Sequence, residues 1–438
     1  MRRLVAEPDR FTKPPRIRQV KTHLARFRDG SGVGLKAMDQ MLTQIIGLLI
    51  IAVLVALAAR WLKLPYTVGL VGVGIILAAT QSLTDMQLTP DFIFEFILPP
   101  LLFEAAINIH WRELQRDLAI VLNLAIFGTV IAASVITAGL VTLGWPLKSA
   151  AMFGILIAAT DPVAVIAMFK DNGVGGRLRL LTESESLFND GVAAVLFILA
   201  LGWATDGDIS AEHDIEVFLI TVGGGIFLGA LCAGAALVVA RQTADHLVES
   251  TITAVTAFGS FQLAQYFQCS GVLATITAGL LIGNFGVLAG DAQSRMTAQG
   301  REFALALWEF IAFIANSLVF LLIGITVAKI PFSQLGFLGL GSIILLVLLG
   351  RAAAVYPLCF LFKKSRHAIS LGEQHVLWWG GLKGALGLAL AMALPGTLPF
   401  RNEILIATFA VVSFSIIAQG LTMPLLLKRL GFIEARPH

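Results

Sequence analysis

Charge is scarce in this sequence. Asp, Glu, Lys and Arg make up 13% of the 438 residues, about half the share of an ordinary soluble domain. Hydrophobic residues make up 57% and the mean hydropathy is +0.85. That balance excludes a water-soluble fold and marks an all-α, polytopic membrane protein. Cysteine is rare too. Cys232, Cys269 and Cys359 stand far apart in apolar stretches, which excludes a disulfide framework or a metal-type spacing and leaves packing roles. No HExxH, GxSxG or Walker pattern occurs in a credible context, so neither an enzyme nor a resident cofactor is expected. No basic run interleaves with aromatics in a soluble fold, and no nucleic-acid partner is expected. Low-complexity tracts are also absent.

What is there, in quantity, is membrane-length apolar sequence. About thirteen spans near the ~20 residues a bilayer requires fall roughly at 40–60, 65–80, 90–107, 118–143, 149–170, 178–203, 215–240, 247–267, 270–288, 302–328, 334–362, 373–395 and 403–427. With the C-terminus placed inside, the inside loops and tail hold sixteen Lys and Arg, and the outside loops only Lys148, Lys329 and Arg401. That bias predicts a cytoplasmic C-terminus and, from the odd count, an outside N-terminus. Residues 1–38 form a basic tail without an apolar signal region, expected to be disordered or a weak surface helix. A basic outside tail contradicts the charge rule, and native translation is therefore expected to begin at Met38 or Met41.

The stretch Gly154 to Gly191 organises the chain. Its first apolar segment is interrupted by Thr160-Asp161-Pro162, and its second carries Glu185, Ser186, Asn189 and Asp190. Ionisable residues inside a bilayer cost at least about 2.5–3.5 kcal/mol and are functional candidates by default. Pro162 has no N–H, so the Ala158 carbonyl loses its helical partner, and Asp161 before proline is pushed out of α geometry. The helix is predicted to stop near Ala159 and restart near Val163. Non-helical backbone at membrane depth survives only inside protein or beside a wet cavity. Freed carbonyls beside a carboxylate suit a hard monovalent cation. Asp161 is read as a cap of the second half-helix, a cation ligand, or both.

Ser186 and Asp190, four residues apart, share one helix face, and Glu185 and Asn189 share the next. Glu104 follows the bend predicted at Pro99-Pro100, as a site acid or an interface marker. Arg351 lies in an apolar run and needs a carboxylate, for which Glu185 is nominated; the alternative is a snorkelling arginine. Lys383 sits in Gly380-Gly381-Leu382-Lys383-Gly384, a second predicted break, where its charge can compensate facing half-helix ends or simply mark a span start. Six to seven spans separate the two breaks; an even number gives repeats of the same sense, and seven gives opposite sense, as in an inverted repeat. His110, His246, His367 and His375 lie near loops and need no role.

FILPPLLFEAA, ATDPVAV, ESLFNDG, GRAAAVYP and GGLKGALGLALAMALP occur in this order. Together they resemble the cation:proton antiporter family that includes the NhaP-type proteins and the animal sodium/proton exchangers, over roughly residues 40–430. The resemblance implies two inverted repeats with crossed discontinuous helices, a monovalent cation and a proton as partners, and a homodimer in the lipid bilayer. It implies a scaffold at 39–110 and 205–330, a core at 111–204 and 331–430, and a short tail at 431–438. It implies cation or proton binding at Asp190, with Asp161, Ser186, Thr160 (by its carbonyl) and Glu104 assisting, a structural ion pair of Glu185 with Arg351, and supporting roles for Asn189, Pro162 and Lys383. Many relatives carry Arg where Lys383 stands. Asn189-Asp190 is the pattern of electroneutral members. The expectation is an inner-membrane antiporter serving pH homeostasis, exchanging Na+ for H+, the two competing for Asp190. The rivals are a potassium/proton antiporter of the same fold and a cation channel.

Overall fold

The computed structural model describes residues 32–62, 64–79, 89–206, 211–290 and 294–433. The chain divides into two units, residues 1–50 and residues 51–438. In the first, the described residues 32–50 are helical and begin α1 (Gly32–Leu62). The helix therefore starts inside the segment expected to be tail. Leu-Lys-Ala-Met after Gly34 are good helix formers, and their charge does not stop a helix. The rest of the basic tail, and the expectation of disorder there, lie outside the described residues.

The second unit continues with α2 (Tyr66–Ala79), α3 (Leu98–Ile107), α4 (Trp111–Thr142), α5 (Leu147–Ala158), α6 (Val163–Asp171), α7 (Gly176–Asp206), α8 (Ala211–Ala240), α9 (His246–Tyr266), α10 (Gly271–Ile282), α11 (Ala298–Val327), α12 (Gly336–Leu361), α13 (Leu371–Trp379), α14 (Ala385–Met392) and α15 (Arg401–Arg429). Among the described residues every regular element is helical. Among the described residues seven helical segments are long and apolar enough to cross a membrane, and Ile46–Leu62, Tyr66–Ala78 and Gly271–Val287 are shorter apolar helices. The chain is a multi-pass membrane protein.

Proline and small residues shape the helices. Pro99 and Pro100 were expected to bend their span; the bend is taken up as a widened π turn over Ile93–Ile97 that leads into α3. Each proline lacks the N–H that the carbonyl four residues back would use. Apolar tails offer no hydrophobic drive between helices in lipid, so close approach and shape decide the packing. At the α2–α11 crossing, a Cβ on Gly74 would stand 2.9 Å from the Gly324 Cα, so only glycine fits. Two of the buried clusters among the described residues are large. One joins α3, α8, α9, α10 and α11 around Phe103 and Trp308, whose rings are 4.6 Å apart. The other joins α6, α7, α13 and α15 around Phe169, Val376 and Met423.

Candidate functional site

Two interrupted helices meet at their gaps. α5 ends at Ala158, Ala159 is extended, and α6 begins at Val163. α13 ends at Trp379 and α14 begins at Ala385. Both gaps lie where proline and clustered glycine predict them. The Asp161 N–H donates to the Leu382 carbonyl at 2.8 Å, joining the two gaps through main chain.

Four half-helix ends converge here, and each finds a partner of suitable sign. The Asp161 carboxylate accepts from the Val163 N–H at 2.9 Å and packs against Gly384, at the start of α14. It thus caps the positive ends of α6 and α14 together. Lys383 Nζ donates to the Ala158 and Ala159 carbonyls at 3.2 and 3.1 Å, at the negative end of α5. Arg351 Nη2 donates to the Leu377 carbonyl at 3.1 Å and Gln419 Nε2 to the Trp379 carbonyl at 3.0 Å, both at the end of α13. Glycine makes the approach possible. A Cβ on Gly381 would lie 2.7 Å from Arg351 Nε, and one on Gly384 would overlap the Asp161 carboxylate.

Helix α7 supplies the remaining groups. Arg351 grips Glu185 through two bonds, Nη1 to Oε1 and Nη2 to Oε2, both 2.8 Å and both buried. The Asn189 amide fastens α7 to the first gap: Nδ2 donates to Thr160 Oγ1 at 2.6 Å and to Glu185 Oε1 at 3.1 Å, and Oδ1 accepts from the Thr160 N–H at 3.1 Å. Ser186 Oγ lies 3.0 Å from Thr160 Oγ1.

Asp190 is different. Among the described residues no group hydrogen-bonds to its carboxylate, whereas Asp161, Glu185 and Glu104 each accept at least one bond. It is half-buried and lines a cavity of about 240 Å³ together with Thr160, Asp161, Glu104, Glu183 and Glu309, roomy enough for several waters. Pro162 and Gly384 line it too, while Ser186, Asn189, Glu185 and Arg351 do not. The structure thus brings Asp190, Asp161, Thr160 and Glu104 to one cavity and leaves Ser186 behind Thr160. At the same cavity Lys170 pairs with Glu309 at 2.5 Å, and Arg179 with Glu183 at 3.6 Å.

The profile of the family described as "Sodium/hydrogen exchanger, transmembrane" matches residues 48–429. The chain belongs to the sodium/hydrogen exchanger family. The Na(+)/H(+) antiporter ApNhaP of Aphanothece halophytica is 40% identical over 389 residues, covering 88% of this chain and 73% of that protein. The Na(+)/H(+) antiporter NhaP of Pseudomonas aeruginosa is 30% identical over 398 residues, covering 85% of this chain and 92% of that one. Among solved structures, the sodium proton antiporter MjNhaP1 from Methanocaldococcus jannaschii at pH 8 superposes with a TM-score of 0.70 at 22% identity, over 90% of this chain and 100% of its own, and shares the fold.

In this exchanger-family chain several site groups carry no sequence signal. A widened turn over Ser415–Gln419 in α15 aims two neutral side chains at the second gap. Ser415 Oγ accepts from the Lys383 N–H at 3.1 Å, and Gln419 caps Trp379 as above. Such turns gather at functional sites, but Ser and Gln in an apolar span do not announce one. Lys383 allows a direct test. Lys383→Met strips two charge-assisted bonds from α5, each worth about 1.5–3 kcal/mol, and is expected to lower the unfolding temperature in detergent and to cut exchange in proteoliposomes. Lys383→Arg keeps the charge and is expected to retain most of both. Wild-type stability and exchange in Lys383→Met would contradict the capping role.

Proposed function

We propose that the chain is a secondary antiporter that exchanges Na+ for H+ across the inner membrane, with cation and proton competing for Asp190. One observation carries the reading: a carboxylate to which no group among the described residues hydrogen-bonds, lining a cavity beside two paired helix gaps. A free carboxylate can take either a cation or a proton, and one negative charge cannot neutralise both. Thr160, Asp161 and Glu104 supply further oxygens around the same cavity, the donor type that suits hard cations. The relatives named above, themselves Na(+)/H(+) antiporters, support sodium over potassium as the cation.

Further parts of the proposal follow the family pattern. Residues 39–110 and 205–330 form a scaffold that pairs in a homodimer, and residues 111–204 and 331–430 form a core that moves against it. The broken helices belong to two inverted repeats, the C-terminus is cytoplasmic and the N-terminus outside. Ser186 assists from behind Thr160. Glu185 and Arg351 are structural, and Asn189 and Pro162 hold the gap open.

If each half-cycle carries one charge on one carboxylate, one-for-one exchange moves no net charge. Sodium-driven pH change in proteoliposomes is therefore expected to be independent of an imposed membrane potential. As pH falls, protons hold Asp190 and the apparent KM for Na+ rises linearly with proton concentration. Exchange that scales with potential would exclude the electroneutral cycle. Faster exchange with K+ than with Na+ would move the cargo to potassium, and a steady cation current would make the protein a channel.

A further inference from the structure

The cavity has a second wall, on α11. Glu309, Ala312, Phe313 and Asn316 all line it, and their spacing of 3, 4 and 7 residues puts them on one helix face. Three of them have an evident reason to be there. Glu309 pairs with Lys170, Ala312 is small and buried, and the Phe313 ring stacks on Tyr66 at 5.4 Å.

Asn316 has no such reason. Its Oδ1 is buried and accepts no hydrogen bond. A buried amide oxygen without a donor is costly, and such groups in folded proteins call for an explanation. The backbone around it is held firmly. Tyr66 Oη lies 2.7 Å from Ser317 Oγ, and Ser317 Oγ donates to the Phe313 carbonyl. Asn316 is therefore carried on an anchored turn and lines the cavity that Asp161 and Asp190 also line; its oxygen is shielded from that space, and a half-turn of the amide about its own axis brings it there. An amide oxygen is a neutral, hard ligand suited to an alkali cation shedding its water.

We propose that Asn316 is a cation-handling residue: its side-chain oxygen ligates the cation that has entered the cavity and sets apparent affinity and selectivity among alkali cations. This rests on the antiport reading above. It extends the site to an element outside the broken-helix pair.

The test is Na+- and Li+-driven exchange in proteoliposomes of the full chain, with saturation curves for wild type, Asn316→Leu and Asn316→Asp. Removing the oxygen at near-constant volume is expected to raise the apparent KM for Na+ about fivefold, the effect of one polar contact. The maximal rate should stay within about twofold, and the Na+/Li+ preference should change. Placing a carboxylate there is expected to lower the KM. Opposite shifts from two substitutions at one position are not what a merely structural amide produces. Shifts of the same sign, or no shift in either variant, would overturn the proposal. If Asn316→Leu fails to insert, Asn316→Asp decides alone, and an unchanged or raised KM rejects it. Wild-type protein without sodium-driven exchange would instead remove the antiport reading, and this proposal with it.

Discussion

Asp190→Asn is expected to abolish sodium-driven pH change in proteoliposomes while leaving the protein folded and inserted. The amide matches the carboxyl in shape, so the cavity keeps its volume. What it loses is the ability to carry a negative charge or to take up a proton. A cation entering a low-dielectric cavity needs a counter-charge, because uncompensated burial of an ion costs several kcal/mol. Folding does not depend on this carboxylate, since among the described residues nothing donates to it. Burying it without hydrogen bonds is unfavourable in itself. The unfolding temperature in detergent should therefore stay level or rise. Asp161→Asn is expected to behave differently. That carboxylate accepts from Val163 and sits at the positive starts of α6 and α14, and an amide lacks the negative charge that both helix ends favour. Stability should fall together with transport. The decisive measurement pairs fluorescence of a trapped pH dye with melting of the same preparations. Residual exchange above empty liposomes in Asp190→Asn would show that the shared seat lies elsewhere.

The gaps were legible because proline and glycine act locally. Pro162 removes an N–H wherever the chain goes, and the glycines around Lys383 permit a contact that any Cβ would block. The Glu185–Arg351 contact was legible for another reason: two opposite charges in apolar runs have few other ways to be satisfied. Ser186 shows where this reasoning stops. Helical spacing correctly puts it near Asp190, but spacing does not fix the rotation of α7 against the gap, and that rotation turns Ser186 toward Thr160 Oγ1 rather than the cavity. The start of α1 at Gly32 is hidden because a basic residue, Lys36, does not by itself stop a helix. Asn316, Ser415 and Gln419 left no trace at all. Neutral polar residues are ordinary in membrane helices, and only tertiary placement makes these three matter.

The largest stability effect is expected from splitting the buried ion pair. Arg351→Met leaves the Glu185 carboxylate inside with only the Asn189 amide as donor, and breaking a buried pair from one side costs about 3–5 kcal/mol. Glu185→Leu leaves a buried guanidinium whose Nη2 keeps only the Leu377 carbonyl, with a similar expected loss. Removing both charges eliminates the unpaired ion, and replacement of a buried pair by apolar groups is often close to neutral. The double variant should therefore regain most of the unfolding temperature lost by either single variant. Transport should not recover in parallel. Asn189 Nδ2 bridges Glu185 and Thr160, and leucine cannot accept that bond, so the first gap loses part of its anchorage. Arg351 also braces the end of α13, which methionine cannot do. Melting curves and Na+ saturation on the four proteins form a double-mutant cycle, with stability expected to couple strongly and the apparent KM to stay raised in the double variant. If the double variant is no more stable than the worse single one, the two charges are not each other's main support. If it regains wild-type KM as well, the pair acts on stability alone, and the Asn189 bridge plays no part in shaping the site.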